Sequence, residues 1–236
     1  MRLHIMPAVL TSLAFVLGGC AVVPPQQQSV PLPASALRAD AGRVGVAMSV
    51  VPRADTVFPG AGHGLCLASA AYRHSLLTNH VHVLSPRDMP VLKERAASLV
   101  AARGATPVLL ADALDLETLP DFGGVMAGTP GVARKDFRSF KELQRLDKLL
   151  VIQIDSLGVA RGYGADCVAD AEPRAVFDGA AYLVDLKTNA LQWYHPVHVA
   201  REIDGNWDAW PKYPHLDTAF FQALQQGKDE LLRPLQ

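Results

Sequence analysis

Three cysteines, eight histidines and two clusters of acids are the residues of this chain whose types could do chemistry. His80 and His82 share a face if that stretch is extended, and His195 and His198 flank Pro196, spacings that suit two ligands of a divalent metal. Neither pair has an obvious third ligand, so exposed histidines are expected and no metal. Asp112, Asp115 and Glu117, like Asp166, Asp170 and Glu172, fall in loop-like stretches where solvation accounts for them. A serine nucleophile on a GxSxG elbow is lacking. Gly60, Gly62 and Gly64 follow the first strand without GxGxxG spacing or a Walker lysine, which suits a flexible helix entry better than a phosphate loop. No catalytic residue and no cofactor is expected.

The first cysteine carries the strongest signal. Arg2 supplies a positive charge, Ala8 to Leu17 form an apolar run too short for a permanent membrane span, and Leu17-Gly18-Gly19-Cys20 closes the segment. This resembles the lipobox of bacterial lipoproteins. The resemblance implies that residues 1–19 are a signal peptide removed on export, that the Cys20 thiol carries lipid, and that acyl chains anchor the new N-terminus in a membrane. Ala21, where an aspartate would oppose sorting, resembles the signal of outer-membrane lipoproteins and implies a lipid anchor there with the protein facing the periplasm.

With Cys20 acylated, Cys66 and Cys167 remain, in a compartment that favours oxidised pairs. If the strands at 43–51 and 149–159 are parallel in one sheet, both end at the same edge. Cys66 starts the helix entered from that edge and Cys167 lies in the long loop leaving it, so a Cys66–Cys167 disulfide is expected.

Residues 20–42 read as a lipidated tether, since Pro24, Pro25, Pro31, Pro33 and Gln26 to Gln28 favour an extended spacer. Residues 43–236 read as one periplasmic domain, long enough for a substantial core. Val44, Val46, Met48 and Val50 alternate in the first strand. A helix over 65–77, a short strand at 81–84 and a helix from Ser85-Pro86-Arg87-Asp88 to Arg103 follow, the last opened by a capping serine and a first-turn proline and closed by Gly104. Residues 105–134 are rich in Gly and Pro and read as a long irregular loop, within which Val108 to Leu110 suit a strand or a helix start. A third helix over 135–148 leads to the β-branched strand at 149–159 and another at 175–186. Lys187 to Ala190 form a tight turn, and a strand returns over 191–201 with Pro196 marking an edge or a bulge. A last helix begins near Asp217. The fold class is α/β (α+β): a single mixed sheet of about five strands ending in an antiparallel meander, flanked by helices, in the order β-α-β-α-(α)-β-β-β-α.

Val81 to Asp88, the apolar entry Leu146 to Asp155, and the hairpin Asp185 to Trp193 together resemble a group of envelope proteins. These are the curli-secretion (CsgG-type) lipoproteins, the lipoprotein activators of peptidoglycan synthases, and the N-terminal domain of the Tol-Pal system β-propeller protein (TolB). Asn189 stands where that hairpin usually has glycine. The resemblance implies a fold and transfers no functional residue. A pore is not implied, because no pair of long alternating insertions is present.

Half the residues are hydrophobic, 19% are charged and the formal net charge is −1, so nothing suggests a nucleic-acid partner. Phe122, Val125 and Met126 give the long loop an apolar tip, and Trp207 and Trp210 mark a second aromatic segment. Each is either a partner contact or internal packing. The functional expectation is a membrane-anchored binding or assembly factor of the cell envelope, working within an envelope protein complex. Its alternatives are a periplasmic hydrolase or metal-binding enzyme, and an auxiliary part of a transport or secretion system.

Overall fold

The structure, a computed structural model, describes residues 27–123 and 129–236. Its strands are β1 (Arg43–Met48), β2 (Asp55–Val57), β3 (Thr106–Leu109), β4 (Lys148–Ala160), β5 (Arg174–Asp185) and β6 (Leu191–Glu202). Its helices are α1 (Gly64–Arg73), α2 (Ser75–Val81), α3 (Val91–Ala102), α4 (Ser139–Gln144) and α5 (Pro214–Leu232). All six strands form one mixed sheet in the order β3-β1-β4-β5-β6, with β2 also lying beside β4. β1 runs parallel to β3 and β4, whereas β4, β5 and β6 make the expected antiparallel meander.

β4 organises the molecule because its side chains feed both faces. Leu150, Ile152 and Ile154 enter the larger core with α2, α3 and α5, including Leu77, Leu92, Val100, Phe220 and Leu231. Leu149 and Val151 enter a smaller core on the opposite face with Leu114, Ala133, Phe137, Leu146 and Tyr182. The 110–147 connection supplies that second layer, so the stretch read as an irregular loop is in fact the cover of the sheet. α5 lies close on β5 because Gly227 has no side chain; a Cβ there would sit 2.2 Å from Phe177 Cδ1. Pro196 does lie on an edge strand, where its missing N–H is tolerated.

Four local expectations are corrected. Residues 81–84 are not a strand: α2 runs to Val81, and the bonds from Thr78 N to His74 O and from His82 N to Thr78 O extend the helical ladder. Leu77, Val81 and Leu84 then share one buried helical face, a period that a four-residue apolar run does not reveal. The next helix starts at Val91 rather than Pro86, because an α-helix from Pro86 would require an N–H from Pro90 to its carbonyl, and proline has none. The helix at 135–148 shrinks to Ser139–Gln144, ended by Arg145 at φ 52°. Finally, the described part of the tether is no free spacer, since Leu37, Ala36 and Ala41 are buried in the larger core and Val30 pairs with Tyr194 on the edge of β6.

Candidate binding surfaces and the residues that could do chemistry

The histidines are dispersed by the fold. His80 and His82 sit at the end of a helix, so a separation of two residues sends them to different sides. His80 Nε2 meets Asp217 Oδ1 at 2.6 Å and His82 Nε2 meets Asp55 Oδ1 at 2.8 Å. His195 and His198 occupy opposite faces of β6: His195 stacks on Trp193 and reaches the Glu230 carbonyl at 3.2 Å, while His198 bonds Asp178. Among the described residues no group of three His, Cys, Asp or Glu is placed to hold a metal.

Ser156, Asp178 and His198 converge on the open face of the meander, with Ser156 Oγ donating to Asp178 Oδ2 at 2.7 Å. The order of the three is wrong for nucleophilic catalysis. The carboxylate stands between hydroxyl and imidazole, whereas activation needs the imidazole next to the hydroxyl.

Beside this trio, the face left uncovered by the 110–147 connection forms a cleft. A bulge between Ile154 and Ser156 leaves Asp155 without a register partner and turns its carboxylate outward. Tyr182 Oη donates to Gln153 Oε1 at 3.0 Å, and Gln153 Nε2 donates to Asp155 Oδ1 at 2.5 Å. Burial pushes the Asp155 carboxyl upward, Asp178 adds to that, and the bond from Gln153 opposes it. Burial likewise raises both tyrosine hydroxyls, with Tyr194 further raised by Asp155, so they act as hydrogen-bond donors at neutral pH. Two adjoining hollows, of 270 and 220 Å³, share Leu116, Glu117 and Gln153.

Cys66 and Cys167 are joined by a disulfide with Cα atoms 5.6 Å apart. The bridge pins α1 onto the 161–173 loop, where Cys66 and Ala70 pack against Ala61 and Tyr163. A run of rings continues from there. Phe58, His74 and Tyr163 lie within 6.2 Å of one another by ring centre, Trp207 meets His74 at 6.4 Å and Tyr213 at 6.3 Å, and the Arg161 guanidinium sits 5.1 Å over Trp207. Burial lowers the His74 pKa, and the nearby charges of Arg161 and Arg73 lower it further.

Of the described residues read as partner contacts, Phe122 makes no ring contact with Trp207 or Trp210. Phe122 is half-buried with the Arg138 guanidinium 4.8 Å over its ring, while Trp207 is half-buried in the aromatic run against the larger core. Trp210, by contrast, is 92% exposed. Val125, Met126 and Cys20 lie outside the described residues.

A surface that sequence inspection passed over is the outer side of α1 and α2. These helices meet at His74, whose φ of −107° and ψ of 22° are not helical, so α2 starts anew after α1 ends with the bond from His74 N to Ala70 O. Leu65 and Tyr72, seven residues apart, share one side of α1, Leu76 lies in the first turn of α2, and Val83 follows its end. They are 85, 83, 75 and 73% exposed. Cys66 and Ala70 on α1 and Leu77 and Val81 on α2 are buried, so each helix also turns a different side to the interior. A helix apolar on two sides is unusual at a surface. The signal was available as charge: Thr56 to Arg87 contains no carboxylate, and Gly104 to Ala133 contains no lysine or arginine.

No family model and no curated protein matches this chain. Among solved structures it is similar to a PelC dodecamer from Paraburkholderia phytofirmans (12% identity over 89% of this chain and 95% of that one, TM-score 0.38). It is also similar to protein XCC0632 from Xanthomonas campestris (15%, 88% and 90%, TM-score 0.37) and to lipoprotein GNA1162 from Neisseria meningitidis (13%, 78% and 95%, TM-score 0.30). Likenesses this distant assign neither an activity nor a partner.

Proposed function

We propose that this protein is a non-enzymatic binding and assembly factor of the bacterial cell envelope, held at the outer membrane by lipid on Cys20 and facing the periplasm. The observation that carries the reading is the set of apolar side chains Leu65, Tyr72, Leu76 and Val83 turned to solvent on and just after α1 and α2, the first of which is fixed by a disulfide. Such a surface is costly to leave in water and is the composition expected of a protein contact. The disulfide also suits an oxidising compartment. The Ser156, Asp178 and His198 order and the dispersed histidines favour binding over hydrolysis.

The test is recovery of the tagged chain from crosslinked envelopes together with mass spectrometry of its mature N-terminus. A stoichiometric protein partner that is lost with Leu65→Glu, and an acylated Cys20, are the expected results. An unmodified terminus at another residue overturns the anchor, and the lack of any protein partner overturns the assembly role.

A further inference from the structure

We infer that the protein associates with itself head to tail, the α1–α2 stripe of one copy entering an acidic groove on the opposite sheet face of the next. This deepens the binding reading above by naming the partner as a second copy. Leu65 and Tyr72 on α1, Leu76 on α2 and Val83 just past its end leave exposed apolar side chains on these two consecutive helices, a surface that a groove lined by apolar side chains could cover. Among the described residues neither Arg73, one residue after Tyr72 at the end of α1, nor Arg87 makes an ion pair. Thr56 to Arg87 contains no acid, and the acids that bracket it are engaged elsewhere, Asp55 with His82 and Asp88 with Lys228.

The complement lies on the other layer. Leu109, Leu110, Leu119 and Phe140 line a groove of 500 Å³ whose rim carries Asp112 and Asp115 and whose lining includes no cation. Leu109 is 47% exposed and Leu143, on the same α4 as Phe140, is 77% exposed, so apolar surface continues from the groove to its margin. Among the described residues Asp112 is exposed and makes no ion pair, and Lys93 beside it is engaged with the Leu110 and Ala111 carbonyls.

The relation of the two surfaces decides the kind of association. α2 packs through Leu77 and Val81 into the core on one face of β4, whereas Leu110, Leu114 and Phe140 belong to the core on the other. They therefore face apart and cannot meet within one molecule. Stripe against stripe would set Arg73 near its own copy with no acid between, while stripe against groove sets guanidinium near carboxylate. Such a contact is heterologous, and repeated it closes a ring or extends a filament.

The test is sedimentation of the purified full chain in a density-matched non-ionic detergent, alone and in mixtures. Wild type is expected to form species larger than a dimer. Leu76→Glu and the pair Asp112→Lys/Asp115→Lys should each weaken association about thirtyfold or more, while leaving the thermal midpoint unchanged; Leu65→Glu serves if Leu76→Glu alters folding. An equal mixture of the stripe and groove variants, each with one intact surface, should give one-to-one dimers that do not grow. A monomeric wild type at roughly 100 µM overturns self-association while leaving the envelope partner experiment to stand by itself. Variants that keep the wild-type mass, or a mixture that stays monomeric, overturn the head-to-tail geometry.

Discussion

The side-chain carbonyl of Asn189 accepts the backbone N–H of Phe137 at 3.0 Å, across 52 positions of chain. Its amide nitrogen donates to the carbonyls of Ala133 at 3.0 Å and Lys135 at 2.8 Å. Asn189 thus does two things at once. It takes the left-handed conformation, φ 61°, that turns β5 into β6, and it nails the cover of the smaller core onto the hairpin.

Asn189→Ala is expected to cost about 3 kcal/mol, because three bonds are lost and the buried Phe137 N–H is left unpaired. Asn189→Gly restores the backbone freedom but not the bonds, and should cost nearly as much. Urea unfolding of both decides it: full recovery with glycine assigns the residue to the turn alone.

Cys66 and Cys167 close a loop spanning 101 positions. Replacing both with serine should destabilise the fold by about 2–5 kcal/mol. The damage should begin at α1, which has few other buried contacts, and hydrogen exchange should show the 64–73 amides opening first. Two free thiols in alkylated, non-reduced exported protein would disprove the bridge.

Trp207 and Trp210 lie three residues apart and should behave oppositely. Trp207→Ala removes a ring stacked between His74, Tyr213 and Arg161 and is expected to cost about 2 kcal/mol. Trp210→Ala removes a side chain that meets solvent and should stay within about 0.5 kcal/mol of wild type. Thermal unfolding separates them, and equal losses would mean that the aromatic run is no structural unit.

His74 gives a pH dependence of known sign. Its folded pKa lies below the ordinary histidine value of 6.5, so the unfolded chain takes up the proton first as pH falls. Its contribution is fully present above about 6.5 and is lost as the pH drops through the folded value. His74→Phe keeps a ring beside Phe58 and Tyr163 while removing the proton site. The decline of the thermal midpoint below pH 6.5 should be shallower in this variant, and an unchanged slope would assign the acid sensitivity elsewhere.

Much of the fold could be read along the chain. The β-branched run at Leu149 to Ile154, the alternation in β1, the turn at Lys187 to Ala190 and the edge mark of Pro196 are local signals, and each depends on residues within a few positions of one another. The parallel pairing of β1 with β4 followed from the handedness of their connection, and with it the approach of Cys66 to Cys167. What the local pattern misjudged was decided by distant partners. Trp207 packs inward because His74 and Tyr213 meet it, the 110–147 stretch is a layer because Asn189 holds it, and the histidine pairs separate because a helix and a strand turn neighbours in different directions. The exposed stripe on α1 and α2 has the same origin. Leu65 and Cys66 are both apolar helix residues, so periodicity treats them alike, and only the placement of Cys167 determines which one turns to the core and which to solvent.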